Sequence, residues 1–304
     1  MGTPLFVAVV GPTAAGKSGL AVELALAVGG EVVNGDSMQL YRGMHIGTAK
    51  LPPAERRGVP HHLLDILDVG QPAAVAEFQG WAREAIGDCR SRGVTPILVG
   101  GSALYLRAVL DEFEFPGTDP TLRQDIEADL AERGATALHA RLQTLDPAAA
   151  ASILPGNTRR VVRALEVIEL TGGPFRASLP EHAYAFDNVI QVGIEVPREV
   201  LDERIEQRVD QMWRAGFVDE VRGLEARGLR EGRTASRALG YRQILRFLAG
   251  LCSEDEARLE TVIGTRKFAR RQATWFKRDP RIEWLAYDEP ELLTRALDAV
   301  RSSA

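Results

Sequence analysis

The sequence predicts an α/β fold: an open parallel sheet flanked by helices and interrupted by an all-helical insertion domain. Three observations carry this. Short continuous apolar runs, the pattern of strands buried on both faces, alternate with helical segments in the first third of the chain. A glycine-rich turn joins the first of these runs to the first helix, which makes the sheet P-loop NTPase-like. From Pro116 to about Phe186 the pattern is helical throughout. The expected division is residues 1–115 with 187–304 as the core and 116–186 as the insertion.

In chain order, LFVAVV (5–10) is a strand. A helix follows from Lys17 to about Val28, closed by Gly29 and Gly30. EVVNGD is a second strand ending at Asp36. TPILVGG (95–101) is a third, followed by a helix from Ser102 to Leu110. The insertion contains DPTLRQDIEADLAERG, ALHARLQTLDPAAAASILP and NTRRVVRALEVIELTGG, helical patterns separated by Pro and Gly. QVGIEV (191–196) is a late strand able to rejoin the sheet. Two long helical stretches follow, REVLDERIEQRVDQMWRAG and EDEARLETVIGTRKFARRQATWFKRD. The chain has no internal repeat and no low-complexity segment.

At 304 residues, with 45% hydrophobic and 26% charged residues, the chain can bury a sizeable core. A net charge of -5 gives no global basic field, although a local basic groove can sit on an acidic protein. The two cysteines, Cys89 and Cys252, lack CxxC spacing. They form neither a disulfide framework nor a zinc site, and they suit a reducing compartment. No apolar run reaches membrane-spanning length, and the N-terminal run leads into a motif rather than a cleavage site. A cytoplasmic protein is expected.

The turn GPTAAGKS satisfies G-x-x-x-x-G-K-[ST] through Gly11, Gly16, Lys17 and Ser18, with Pro12, Thr13, Ala14 and Ala15 between. Glycines let backbone N–H groups face an anion, and the helix N-terminus adds its positive end. Lys17 adds a full charge, and the Ser18 hydroxyl can hold Mg²⁺. A nucleotide hydrolase also needs a carboxylate at the end of a neighbouring apolar strand. Here PILVGG ends in glycines and Ser102. LLDILD (63–68) offers Asp65 and Asp68 but is short. The pocket is built for phosphate without being built for hydrolysis. Asp36 is the better-placed carboxylate, at the strand edge where such sheets bind ligands. It can accept a proton there, or cap a following helix.

Charge is concentrated locally. From Arg266 to Arg281 seven cations face one anion, Asp279, for a local net of +6, with Trp275 and Phe276 interleaved. Arg159, Arg160 and Arg163 form a second cluster. Such helices suit phosphate contacts, and a solvated helix face is the competing explanation for each cluster alone. His61 and His62 invite a metal or acid–base reading, but a paired histidine at a strand entry is more often structural and no acidic or Cys partner sits at ligand spacing nearby, so neither is assigned a role.

Taken together, GPTAAGKS, DSMQLYRGMHIGTAK (36–50), PHHLLDILD (60–68), FQGWA (78–82), ILVGGSALYLRAVL (97–110), RRVVRALEV (159–167), RIEQRVDQM (204–212), RALGYRQ (237–243) and TRKFARRQATWFKRD (265–279) resemble the tRNA dimethylallyltransferases, or tRNA isopentenyltransferases. The P-loop alone is common to many functions, and its combination with DSMQ, VGGSALY and GYRQ is specific. The zinc-finger tail of the eukaryotic members is missing, so the resemblance is to the shorter bacterial form.

The resemblance implies transfer of a five-carbon isoprenoid from dimethylallyl diphosphate to N6 of the adenine 3′-adjacent to the anticodon. Residues Gly11 to Ser18 would then hold the diphosphate leaving group, with Mg²⁺ on Ser18. Asp36 would take or hold the N6 proton. Ser102, where most relatives carry Thr, would hydrogen-bond the leaving group or the acceptor, and Arg208 would neutralise the departing charge. The implied tRNA contacts, in the anticodon stem-loop, fall on Asp36, Ser37, Met38, Gln39, Ser102 and Arg123. They continue on Arg159, Arg160, Val161, Val162 and Arg163, and on Arg237, Ala238, Leu239, Gly240, Tyr241 and Arg242. Two positions depart from the pattern: His45 where Asp is common, and Gly35 where Ala is usual. A monomer is expected.

Two other readings use the same motifs. A small-molecule or nucleoside kinase shares the P-loop and an acceptor carboxylate but needs ATP and an adenine-clasping lid. A non-catalytic P-loop RNA-binding module would use the basic clusters alone.

Overall fold

A computed structural model describes residues 5–112, 115–175 and 182–301; the part of the expected insertion at 176–181 lies outside them. The chain forms two compact units, residues 1–111 with 184–304, and residues 112–183.

In the larger unit the order begins β1 (Phe6–Val10), α1 (Lys17–Val28), β2 (Glu31–Asn34), β3 (His61–His62), α2 (Val75–Ser91), β4 (Pro96–Gly100) and α3 (Ala103–Leu110). The smaller unit holds α4 (Pro120–Leu145), α5 (Pro147–Ser152) and α6 (Thr158–Thr171). The larger unit resumes with β5 (Val189–Glu195), α7 (Arg198–Arg214), α8 (Phe217–Glu225), α9 (Tyr241–Leu248), α10 (Glu254–Phe276), β6 (Ile282–Ala286) and α11 (Leu292–Arg301).

The strands make one parallel sheet in the order β3-β2-β4-β1-β5-β6. Alternation along β1 divides its side chains between two cores. Phe6, Ala8 and Val10 join Val33, Leu98, Phe78 and Ile86 on one face. Val7 and Val9 join Ile97, Val192, Leu24 of α1 and Val300 of α11 on the other. Every residue of β1 and β4 is buried, so their continuous apolar runs are what a sheet covered on both faces requires.

β2 ends at Asn34, which leaves Asp36 in the following turn rather than in the strand. Ser102 occupies the N-cap position of α3, whose helix begins at Ala103, and its side chain makes no capping bond. The expected elements do not include β3, β6, α2 or α11, although α2 buries Phe78, Ala82, Ile86 and Cys89 at helical spacing. β3 is two residues long, and β6, at the edge of the sheet, buries only Ile282 and Leu285.

The smaller unit has its own core, including Ile126, Leu138, Leu142, Ala150, Val161 and Leu165. Asp119 caps α4 by accepting from Thr121 N (2.8 Å) and Leu122 N (3.1 Å). Gly134, at φ 81°, breaks α4 into two helical runs. The second expected helical stretch divides at Pro147, where Asp146 ends one helix and caps the next through Ala149 N (2.9 Å).

Candidate active site

The turn from β1 to α1 places Gly11, Ala14 and Gly16 at φ 139°, 63° and 98°. Positive φ at spaced positions folds the backbone into a concavity of N–H groups at the start of α1, which Gly accepts without steric penalty. Pro12 and Ala15 are buried, while Gly16 and Ser18 are exposed. Lys17 Nζ donates to Pro12 O at 2.6 Å, which folds the ammonium over the loop.

Asp36 stands across from this loop. No helix begins after it. Its Oδ1 accepts from Met38 N (2.9 Å), so it caps a turn. Asn34, nearly fully buried, fixes that turn. Its Oδ1 accepts from Asp36 N (2.9 Å), and its Nδ2 donates to Asp36 O (2.9 Å) and Leu63 O (3.0 Å). Ser37 is buried and Gln39 Nε2 donates to Thr48 O. Gly35 is tightly enclosed: a Cβ there would stand 2.6 Å from Leu106 Cδ2 and 2.9 Å from Val99 O, so the absence of a methyl lets this turn lie close to β4.

Lys17, Asp36 and Arg208 sense one another's charge. Burial, then Arg208, draws the Lys17 ammonium down to about 7, with Asp36 opposing. Loss of water raises the Asp36 carboxyl above its usual range, although the Met38 N–H, Lys17, Arg208 and Lys50 oppose that shift. Burial lowers Arg208, and Asp36 partly restores it. Arg208 on α7 also donates through Nη1 to Thr13 Oγ1 at 3.3 Å. A glycine-rich anion loop, two cations and a carboxylate of raised proton affinity thus converge. The arrangement can hold a phosphorylated group and take a proton from a nucleophile beside it.

Three residues that the motifs do not single out hold this geometry. Asn34 is one. Gln272 of α10 accepts from Thr13 N and donates to Gly101 O. Glu220 of α8 accepts from three successive amides, His45 N (3.0 Å), Ile46 N (2.7 Å) and Gly47 N (3.2 Å), and from Tyr241 Oη (2.6 Å). Within the same loop, buried Lys50 donates to Asp65 Oδ1 (2.6 Å) and Tyr41 O (2.9 Å). Glu220→Ala is expected to destabilise the protein by about 3 kcal/mol, because several hydrogen bonds to a charged acceptor are lost together. Urea denaturation checks this. The His45 departure leaves its backbone bond to Glu220 in place, with its ring Nδ1 4.0 Å from Asp65 Oδ1.

The basic run at 266–281 is less bare than its sequence. Arg266 pairs with Glu206, Arg270 with Asp202, Lys277 with Glu195, and Arg281 with Asp279 and Asp111. Phe276 is buried, whereas Trp275 is partly exposed. Lys267, Arg271 and Arg278 have no carboxylate partner among the described residues. The expected surplus of +6 is therefore largely internal pairing.

In the smaller unit, Arg123 and Arg163 both bind the fully buried Glu166, each at 2.8 Å. Val161 and Val162 are buried, whereas Arg159 and Arg160 are exposed. In the larger unit, Arg237 and Arg242 are exposed, Leu239 is half-buried, and Ala238, Gly240 and Tyr241 are buried. Val161 and Val162 pack in the core of the smaller unit, and the buried Tyr241 donates to Glu220.

His62, which has no acidic or thiol residue at ligand spacing in the sequence, acquires both in the fold. His62 Nε2 lies 2.7 Å from Glu31 Oε2 and 3.8 Å from Cys89 Sγ, a cluster that distant chain segments bring together. Arg92 binds both Glu31 oxygens (2.8 and 2.7 Å) and, with His62 and Cys89, holds that carboxyl down at about 2 against burial. Burial and Glu31 push the Cys89 thiol up to about 12, which leaves it inert. The cluster is an ion-pair staple at the opposite end of β2 from Asp36. No described helix is long and apolar enough to cross a membrane.

The family model for IPP transferase matches residues 39–279. The chain is 62% identical over 299 residues to a tRNA dimethylallyltransferase of Thermobifida fusca, covering 97% of this chain and 93% of that protein. It is 63% identical over 300 residues to the corresponding protein of Streptomyces coelicolor, covering 98% and 96%. A solved full-length tRNA isopentenylpyrophosphate transferase from Bacillus halodurans superposes with a TM-score of 0.72 at 40% identity, covering 98% of this chain and 97% of that one. A eukaryotic dimethylallyltransferase acting on tRNA gives a TM-score of 0.83 at 26% identity, covering 97% and 78%. These likenesses favour neither the kinase nor the binding module. With the family model spanning most of the chain and the relatives aligned nearly end to end, this protein belongs to the IPP transferase family, the tRNA dimethylallyltransferases.

Proposed function

We propose that this protein transfers the dimethylallyl group of dimethylallyl diphosphate to N6 of the adenine 3′-adjacent to the anticodon of tRNA, releasing diphosphate, as a cytoplasmic monomer. The observation that carries this reading is the convergence of Lys17, Arg208 and Asp36 beside a glycine loop, where β4 runs into Gly101 and Ser102 instead of a carboxylate.

In the reaction the N6 lone pair forms a bond to the allylic C1. The C1–O bond breaks with its electron pair leaving on the diphosphate, and the N6 proton passes to Asp36. Charge grows on the leaving oxygen, and Lys17, Arg208 and the loop N–H groups oppose it there. Asp36 raises the electron density of a weakly nucleophilic amine, and its raised proton affinity suits it to that task. The Ser102 hydroxyl, not committed to capping α3, is the residue we assign to hydrogen-bonding the leaving group or the amine. The oxygen-only donors here, the exposed Ser18 hydroxyl and diphosphate oxygens, fit Mg²⁺, which when bound would neutralise diphosphate charge. N6 is reached only after the adenine leaves the anticodon-loop stack, at about a few kcal/mol. A firm hold on flanking RNA is therefore required.

The test is incubation with labelled dimethylallyl diphosphate, labelled ATP and unmodified tRNA. Isoprenoid label in tRNA supports the transferase. Label from ATP in a small acceptor, or retention of tRNA without transfer, overturns it.

For the RNA hold, the exposed Arg159, Arg160, Arg237 and Arg242 are the side chains we assign to phosphate. Replacing both Arg159 and Arg160 with Ala is expected to weaken tRNA binding and to lower the salt slope by about one per lost contact, with turnover at saturating tRNA little changed. Filter binding across a salt series measures it, and an unchanged slope removes both residues from the interface.

A further inference from the structure

Among the residues around the anion loop, Gln272 has an unusual pair of bonds. It projects from α10 and is only 6% exposed. Its Oε1 accepts from Thr13 N at 2.9 Å, inside the loop, and its Nε2 donates to Gly101 O at 2.8 Å, at the end of β4. Thr13 also carries the Oγ1 that contacts Arg208, and Gly101 precedes Ser102. One amide therefore spans the anion loop and the turn bearing Ser102.

The chemistry demands an amide there. The two backbone partners are a donor and an acceptor, and among side chains of this length only glutamine offers both without charge. A carboxylate would face Gly101 O with like partial charge, and a lysine could not accept from Thr13 N. The site is shaped to receive the group as well. A Cβ on Gly101 would stand 2.4 Å from Gln272 Nε2 and 3.2 Å from Gly11 O, so the bare backbone lets the amide enter between loop and strand end.

We infer that Gln272 is a positioning residue for the transfer reaction. It fixes the diphosphate loop at a set distance from Ser102, so that leaving group and acceptor amine meet in line. It touches neither reactant and acts through Thr13 and Gly101. The inference rests on the function proposed above. Without Gln272 the loop and the Ser102 turn would keep their own folds but lose their shared register. Misplacement on the order of 1 Å can slow a positioned reaction about 10²-fold.

The test compares Gln272→Met, which keeps length and removes both bonds, with Gln191→Met. Gln191 is an equally buried amide bonded instead to Tyr184 Oη (2.9 Å) and Asp279 Oδ2 (3.2 Å). Both variants should lose stability in urea. Gln272→Met alone should lower single-turnover transfer about 10–100-fold at saturating substrates. It should also weaken dimethylallyl diphosphate binding about fivefold in calorimetry, by loosening the loop, and leave tRNA affinity within twofold of wild type. In a cycle with Ser102→Ala the two losses should be sub-additive, because one acts through the other. Equal kinetic losses in both methionine variants, or strict additivity with Ser102→Ala, would make Gln272 a packing residue and overturn the inference. Should wild type transfer no isoprenoid, the proposed function fails. The diphosphate isotherms still decide the role of Gln272: unchanged binding overturns it, and weakened binding in Gln272→Met alone upholds its hold on the loop.

Discussion

Asp36→Asn is expected to bind tRNA and dimethylallyl diphosphate with near wild-type affinity and to slow transfer by roughly 10²–10⁴-fold, the range for losing a positioned general base. The structure sharpens the experiment. The Asp36 carboxylate accepts the Met38 N–H, and an asparagine oxygen can accept that bond equally well. The turn is also fixed from outside by Asn34, which bonds Asp36 through the backbone only. The amide substitution therefore leaves the loop where it is and removes only the capacity to take a proton. Single-turnover rates with both substrates saturating decide the matter. A near wild-type rate would leave Asp36 as a turn cap and require another base. Asp36→Ala, which also releases Met38, should be as slow or slower and somewhat less stable.

Lys17→Ala should lower transfer about 10²–10³-fold, the scale for removing one group aimed at developing charge. It should also weaken dimethylallyl diphosphate binding, while tRNA affinity stays nearly intact. A second signature follows from the titration of Lys17. In the free protein its ammonium is drawn down to about 7 by burial and by Arg208. A bound diphosphate stabilises the protonated form and raises that value. Between about 7 and the higher bound value, binding must take up a proton, and affinity must fall as pH rises, by up to about tenfold per unit. Below about 7 the lysine is already charged and this dependence vanishes. Calorimetry in buffers of different ionisation enthalpy counts the protons, and the difference between wild type and Lys17→Met isolates the lysine from the phosphate's own titration. Equal proton uptake by both proteins would take Lys17 out of contact with the anion.

What the sequence made legible follows from how locally each feature is encoded. β1 and β4 are continuous apolar runs because both faces are covered, and that burial is written in five consecutive residues. Gly11, Gly16, Lys17 and Ser18 sit within one turn, so their joint chemistry needs no tertiary knowledge. The insertion was visible through its helical periodicity, and Gly134 and Pro147 mark its breaks. Other features depend on partners far away in the chain. Glu220 and Gln272 are ordinary helical residues until α8 and α10 bring them against the loops they hold. The basic run reads as a free surface because Glu195, Asp202 and Glu206, which neutralise much of it, lie some sixty or more residues earlier. His62, Glu31 and Cys89 come from three elements, and no spacing rule could have joined them.

The order of strands across the sheet bears on how the protein is made. β1 is among the first segments synthesised, yet it lies between β4 and β5, and β5 begins only at Val189. Until that point one edge of β1 has no partner, and its fully apolar strand must wait while the whole of residues 112–183 is made. That intervening unit has a core of its own, drawn from neighbours in the chain, and can fold during the delay. The anion loop at the end of β1 thus meets Arg208 of α7 and Gln272 of α10 only late in synthesis. A ribosome-bound chain stopped before α10 would carry the motif that marks it as a phosphate binder, but not the side chain that holds that motif to Gly101.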